Sequence, residues 1–195
     1  MATTATPMGA EPVNTLSASG SYTGKVRHIK IASAYGTAIF YGDFVKVVAA
    51  GTIEKAAVTT SVVAGTIGIF VGCSYTDPST SQLTFNQQFP ASTAASDIMA
   101  YVVDDPKLVF QMQGDEAIAQ TGLGNNISAV STAGSTSIGR SKNALDGGSI
   151  ATTNTLPLRV LEFVDGPSST VGDTYTDCLV TYLPLSHAYE TKLGV

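Results

Sequence analysis

The sequence predicts an all-β protein, or a mostly β protein with one short helix, arranged as an antiparallel barrel or sandwich. Short runs rich in Val, Ile, Thr, Tyr and Phe recur about every dozen residues, and Gly, Pro and Asp residues separate them. With 195 residues, the chain is long enough for one large β domain or two small ones. We divide it into a flexible N-terminal arm, residues 1–20, and a β-rich body, residues 21–195.

The predicted arm is rich in Thr, Ala, Ser, Pro and Gly, and Glu11 is its only charged residue. Because it lacks hydrophobic periodicity, we expect its removal to leave the stability of the body nearly unchanged. Two interpretations remain open, a disordered leader or a segment that orders on a neighbouring subunit. In the second case the large apolar side chains Met8, Val13 and Leu16 are the candidate anchors.

In the body, strands are predicted where β-prone runs end at turn signals. Gly42 and Asp43 form a turn signal before one such run. Asp105 and Pro106 close another, since the residue before a proline favours extended geometry. These four residues are assigned structural roles in turns. The predicted strands are 44–50, 52–57, 58–63, 66–71, 82–89, 98–103, 108–113, 157–164 and 175–183.

One helix candidate interrupts this pattern, at residues 114–120 (GDEAIAQ). Asp115 and Glu116 lie where the helix dipole favours acidic residues, and Gly122 lies where a C-terminal cap would be. Residues 124–148, dominated by small polar side chains, are predicted to form long loops with short strands.

The composition excludes several classes of partner. Charged residues make up 13% of the chain and the net charge is −5, with no cluster of basic residues, so nucleic-acid binding is not expected. No apolar run approaches the roughly 20 residues that a membrane helix needs, and no secretory signal is recognised. A surface this poor in charge favours contact with copies of the same chain or with another protein.

Residues that could carry catalysis or bind metal are few and scattered. The two histidines, His28 and His187, lack a Gly-x-Ser-x-Gly motif nearby, so a catalytic triad is not expected. Cys73 and Cys178 are predicted to be buried thiols, with a long-range disulfide as the alternative. We therefore predict neither an enzyme nor a cofactor.

A metal site is not predicted either. Calcium binding by Asp104, Asp105 and Asp115 is the less favoured alternative, because these acids lack the spacing of an EF-hand.

Five segments occur in an order that resembles a known group of proteins. They are residues 39–47 (IFYGDFVKV), 65–77 (GTIGIFVGCSYTD), 100–113 (AYVVDDPKLVFQMQ), 139–146 (GRSKNALD) and 179–187 (LVTYLPLSH). The series resembles small capsid decoration, or cement, proteins of tailed bacteriophages. The resemblance implies a homotrimer on the outer capsid surface of the virion, made in the host cytoplasm, that clamps neighbouring copies of the major capsid protein.

Two other classes of function stay open on the sequence. One is a different virion component, such as a head fibre base or a tail part. The other is a carbohydrate- or cell-surface-binding β module, which the absence of tryptophan makes less favoured.

Overall fold

Twelve β-strands form nearly all the regular structure in the residues that the computed structural model describes, which are 4–17, 22–59 and 65–191. They form two antiparallel sheets, and neither closes on itself within these residues. The all-β prediction is therefore confirmed, and of the two predicted architectures the open sheets agree with a sandwich.

The first sheet, called sheet A, contains six strands in the order β1-β8-β12-β11-β9-β10. All neighbours in it run antiparallel. In chain order its strands are β1 (Glu11–Thr15), β8 (Leu108–Gln113), β9 (Asn126–Val130), β10 (Ala144–Ala151), β11 (Leu158–Phe163) and β12 (Asp177–Tyr182).

The second sheet, sheet B, has the order β2-β7-β5-β3-β4, with β6 paired to the far end of β5. Gly68 in β5 is required by close packing, because a Cβ there would lie 2.0 Å from the carbonyl oxygen of Val103. The strands of sheet B are β2 (Arg27–Lys30), β3 (Phe44–Val47), β4 (Ile53–Lys55), β5 (Thr66–Thr76), β6 (Leu83–Asn86) and β7 (Met99–Val103).

The central strand of sheet B, β5, is buried on both faces, because consecutive side chains enter two different cores. Ile69 contributes to the core between the two sheets, while Phe70 contributes to a second core on the opposite face. The first core contains Phe44, Phe110 and Tyr182, and the rings of Phe110 and Tyr182 lie 5.2 Å apart. Burial on both faces explains why the β5 sequence is a continuous apolar run and does not alternate.

The N-terminal segment differs from the flexible arm that the sequence predicts. Glu11–Thr15 forms β1 and pairs with β8, with Glu11 opposite Gln111 and Thr15 opposite Leu108. The flexible-arm prediction is wrong for this part because the open edge of β8 supplies backbone partners that need no apolar side-chain pattern. Residues 1–3 and 18–20 of the predicted arm lie outside the described residues.

The helix predicted at 114–120 is also wrong. The backbone amide of Gly114 donates to the carbonyl of Thr176, and that of Asp115 donates to Leu145, so both amides serve neighbouring strands. A helix here would bond the Ile118 amide to the Gly114 carbonyl, but that amide donates to Thr176 Oγ1 at 3.2 Å. A two-turn helix is marginal by itself and does not outweigh these bonds to the rest of the fold. The described residues contain only short 3-10 turns, at Gln120–Gly122 and Ala188–Glu190, and no helix among them is long and apolar enough to cross a membrane.

Most of the other predicted strands are confirmed within two or three residues. The prediction for 108–113 matches β8 at both ends, and those for 157–164 and 175–183 match β11 and β12. The loop-rich region 124–148 contains β9 and the first half of β10, which are longer than expected. The strand predicted at 58–63 falls mostly on residues 60–64, which lie outside the described part of the chain.

Candidate functional site

The three predicted anchor residues lie on or beside β1. Val13 belongs to the strand, and Met8 and Leu16 flank it, and all three side chains are exposed. Within the described residues β1 has β8 as its only strand neighbour, so its other edge is open. The structure thus presents these side chains along an ordered edge of sheet A.

A second exposed apolar pair lies on β6, which the sequence analysis did not single out. The side chains of Leu83 and Phe85 are 63% and 69% exposed. They are two residues apart, so they project from the same face of the strand. Because β6 pairs with β5 alone among the described strands, sheet B also ends in an edge with exposed apolar side chains.

Gly42 and Asp43, predicted as turn residues, lie at a backbone hydrogen bond that closes a short loop. The amide of Asp43 donates to the carbonyl of Phe40, and Gly42 adopts a φ of 88°, which favours glycine. The Asp43 side chain is fully buried, which the turn signal in the sequence did not indicate. A buried carboxylate requires partners for both oxygens.

Four donors surround this carboxylate, and we call the group the Asp43 centre. Oδ1 accepts hydrogen bonds from Ser141 Oγ at 2.7 Å and from Asn143 Nδ2 at 3.2 Å. Oδ2 accepts from the amide of Phe40 at 2.9 Å and forms an ion pair with Lys55 Nζ, also at 2.9 Å. The centre thereby joins residues that are far apart in the sequence.

The Asp43 centre lies where elements of both sheets meet. Asp43 directly precedes β3 and Lys55 ends β4, both in sheet B, whereas Asn143 directly precedes β10 of sheet A. The N-terminal segment covers the turn, because the amide of Ala10 donates to the Gly42 carbonyl. Gly9 fits there without a side chain, since a Cβ would lie 2.6 Å from that carbonyl oxygen.

The side chain of Lys55 is nearly buried, with 14% of its surface exposed. Its Nζ also lies 5.9 Å from the centroid of the Phe40 ring. The Lys55 amine therefore lies between an apolar ring and a carboxylate. In such surroundings the attraction between Lys55 and Asp43 is stronger than it would be between the same charges in water.

The second predicted turn, at Asp105 and Pro106, borders an open cleft of about 380 Å³. Asp105 accepts from the amide of Lys107 and from the hydroxyl of Thr15, so it ties this turn to β1. The structural role predicted for Asp105 is consistent with these bonds.

Asp104, the neighbour of Asp105, forms the polar wall of the same cleft. Its Oδ2 accepts a hydrogen bond from Arg27 Nε. The same oxygen accepts from the hydroxyl of Tyr189 at 3.0 Å. The Arg27 guanidinium lies 5.5 Å from the centroid of the Tyr189 ring. The hydrogen bond to Asp104 and its negative charge raise the pKa of Arg27. The pKa of Tyr189 is also raised, mainly by burial and then by Asp104.

His187 is buried close to this cleft, and both of its ring nitrogens have partners. Nε2 donates to the carbonyl of Ile67 at 2.8 Å, and Nδ1 accepts from the amide of Tyr189 at 3.3 Å. This is the arrangement of a neutral imidazole. Burial lowers the pKa of His187, against the opposing effects of the Ile67 carbonyl and nearby acids.

The other histidine and the cysteines lie in separate surroundings. The ring of His28 lies against Tyr101, with centroids 4.6 Å apart. Cys73 and Cys178 are free and buried in different cores, so the long-range disulfide is not formed. Burial raises the pKa of each thiol to about 12, which makes neither a nucleophile at neutral pH.

The acids considered for calcium are not brought together as a single group. Asp115 lies with Glu116 and Asp146, whose carboxylate oxygens come within 4.8 Å of one another, whereas Asp104 and Asp105 border the cleft. Asp115 and Glu116 are exposed, and an exposed acidic group of this kind does not by itself indicate a metal site.

Comparison with known proteins adds no relative to this description. No protein-family model matches the chain. No curated protein and no solved structure matches it either.

Proposed function

We propose that this protein is a structural component of a phage virion that decorates the outer capsid surface and stabilises the shell. It would do so by bridging neighbouring copies of the major capsid protein. The observation that carries the proposal is the pair of open sheet edges with exposed apolar side chains, at β1 and at β6. The order of the five segments that resemble cement proteins gives the proposal its particular form.

Two separated edges suit a bridging protein. An exposed strand edge binds an extended segment of another chain through backbone hydrogen bonds, and neighbouring apolar side chains add burial. One edge belongs to sheet A and the other to sheet B, so two different neighbours can be held by one subunit. The low charge of the chain reduces the cost of removing such surfaces from water.

Binding to particles that lack the protein tests this proposal. We expect Phe85→Ser and Leu16→Ser each to lower occupancy at limiting protein concentration. The matched control is Leu123→Ser, which removes another exposed leucine, beside the 3-10 turn at Gln120–Gly122. Failure of the wild-type protein to bind any particle would overturn the proposal, and equal occupancy for all variants would overturn the role of the two edges.

The same experiment separates decoration from the other virion functions. A decoration protein is expected in many copies over the shell, whereas a head fibre base or a tail part would appear in few copies at one position. Micrographs of particles carrying labelled protein distinguish these arrangements. Self-association into a homotrimer is part of the proposal and is checked by sedimentation of the isolated protein.

The cleft beside Asp104 favours a second candidate, a carbohydrate-binding module. Carboxylates, a guanidinium and the exposed ring of Tyr189 are groups that bind sugar hydroxyls and ring faces. Binding of the isolated protein to a glycan array, lost in Tyr189→Ala, would support this function in place of decoration.

A further inference from the structure

The Asp43 centre contains an amine and a carboxamide, two groups that can react to form an amide bond. Lys55 supplies a primary amine, Asn143 supplies a carboxamide, and Asp43 contacts both of them. The amine is 2.9 Å from one carboxylate oxygen and the amide nitrogen is 3.2 Å from the other. A nucleophile and a leaving group are therefore held by the two oxygens of a single proton acceptor.

We propose that Lys55 and Asn143 form an intramolecular amide bond, with Asp43 transferring the protons. The proposal goes beyond the decorating function and does not depend on it.

The reaction balances without any additional reactant. Asp43 takes one proton from the Lys55 ammonium, and the freed Nζ lone pair attacks Cγ of Asn143. The Nζ–Cγ bond forms, the Cγ–Nδ2 bond breaks, and the nitrogen leaves as ammonia after it receives a proton from Asp43. A proton released by the attacking nitrogen passes to the solution with the ammonia, as an ammonium ion, and Asp43 ends in its original ionised state.

Three features of the centre favour this reaction over an ordinary ion pair. Asp43 contacts both the amine and the carboxamide, so one group can take a proton from the nucleophile and give one to the leaving nitrogen. Thr132 donates its amide to Asn143 Oδ1 at 2.9 Å, which places a hydrogen bond where negative charge develops during attack. Because both side chains contact the same buried carboxylate, the reaction needs no encounter by diffusion.

The bond would have a clear structural consequence. Lys55 ends β4, the last strand of the main path of sheet B, and Asn143 precedes β10, the last strand of sheet A. An amide between them would link the two sheets covalently at their margins. Such a link resists separation of the sheets in a way that hydrogen bonds do not.

The first test is the intact mass of the purified full-length protein. We expect a deficit equal to one ammonia molecule, and peptide mapping that finds Lys55 joined to Asn143 and uncleaved by trypsin. A mass equal to that of the unmodified sequence overturns the proposal. Loss of one water, mapped to Lys55 and Asp43, overturns the assignment of Asn143 as the electrophile.

Variants separate this reaction from succinimide formation, which also releases ammonia from asparagine. Lys55→Arg keeps a cation beside Asp43 but cannot form the link, so its mass should show no deficit. Lys46→Arg, on the paired strand β3, is the matched control and should keep the deficit. A deficit that persists in Lys55→Arg overturns the proposal.

The role of Asp43 is tested with Asp43→Asn, which keeps the shape of the side chain. We expect no deficit from this variant while its unfolding remains cooperative. A linked Asp43→Asn protein would show that another group transfers the protons.

Discussion

Asp43 and Asp104 occupy comparable places in sheet B, the first immediately before β3 and the second immediately after β7. Each accepts hydrogen bonds from a cation and from neutral donors. Their surroundings differ, because Lys55 is nearly buried whereas half of the Arg27 side chain is exposed. One carboxylate is therefore held inside the protein, and the other closes the wall of an open cleft.

The difference teaches that a turn signal alone does not indicate what its aspartate contributes. At the Asp43 centre the Lys55 side chain is mostly shielded from water and Asp43 is fully buried, so water cannot take the place of a lost partner. At the cleft, water can replace Arg27, whose side chain is 53% exposed. Asp104, which is itself 7% exposed, keeps the Tyr189 hydroxyl as a partner, so loss of the cation costs little. The two sites should respond very differently to the same substitution.

The largest expected effect is that of Asp43→Ala. It leaves the Lys55 amine in apolar surroundings without a counter-charge, which costs about 3–5 kcal/mol relative to the intact ion pair, and it also prevents the proposed Lys55–Asn143 bond. Arg27→Ala, which removes the exposed partner of the pair at the cleft, should cost no more than about 1 kcal/mol. Urea denaturation of both variants measures the difference, and equal losses would show that the two sites are energetically alike.

The next effect is that of deleting residues 1–16. The deletion removes β1, leaves the edge of β8 unpaired and uncovers the Gly42 turn where Ala10 binds. We expect the free energy of unfolding to fall by on the order of 2–4 kcal/mol, because several backbone hydrogen bonds are lost and only part of their value is offset by chain entropy. This reverses the expectation from the sequence.

A shorter deletion, of residues 1–5, serves as the control. It ends before β1 and before the contacts of Gly9 and Ala10, so stability should be unchanged. If both deletions leave stability unchanged, β1 does not stabilise the body, and the contact of Ala10 with the Gly42 turn is not needed to keep the Asp43 centre intact.

The sequence predicted the strands well and the centre poorly, for physical reasons. β8 and β12 could be predicted because apolar and β-branched residues mark them locally. β1 could not, since EPVNT is stabilised by a neighbouring edge and carries no pattern of its own. Asp43 was recognised as a turn residue, but Lys55 and Asn143 reach it only through sheet pairing, which no local signal encodes.

The third prediction concerns the effect of pH on stability through His187, which is buried close to the Asp104 cleft. The pKa of His187 is lower in the folded protein than its ordinary value of 6.5, because the ring is buried. The unfolded chain therefore binds this proton more readily, and stability should decrease as the pH falls below 6.5 toward the folded value. Above that pH the contribution is constant.

The control for this prediction is His187→Gln. The glutamine amide can donate to the Ile67 carbonyl but does not titrate, so the difference between wild type and variant isolates the histidine. Thermal unfolding measured from neutral pH down to about pH 5 follows it. A difference that does not change with pH would contradict a lowered pKa for His187.

The smallest expected effect is that of removing divalent cations. Asp115, Glu116 and Asp146 form a third acidic group, with carboxylate oxygens within 4.8 Å of one another. Asp115 Oδ1 accepts from the amide of Gly147, so part of its bonding is met by the protein itself. Since Asp115 and Glu116 face solvent, water can hydrate the remaining charge at little cost. EDTA should therefore leave the melting temperature unchanged. A drop of several degrees that calcium restores, and that Asp146→Asn abolishes, would instead make these acids a structural metal site.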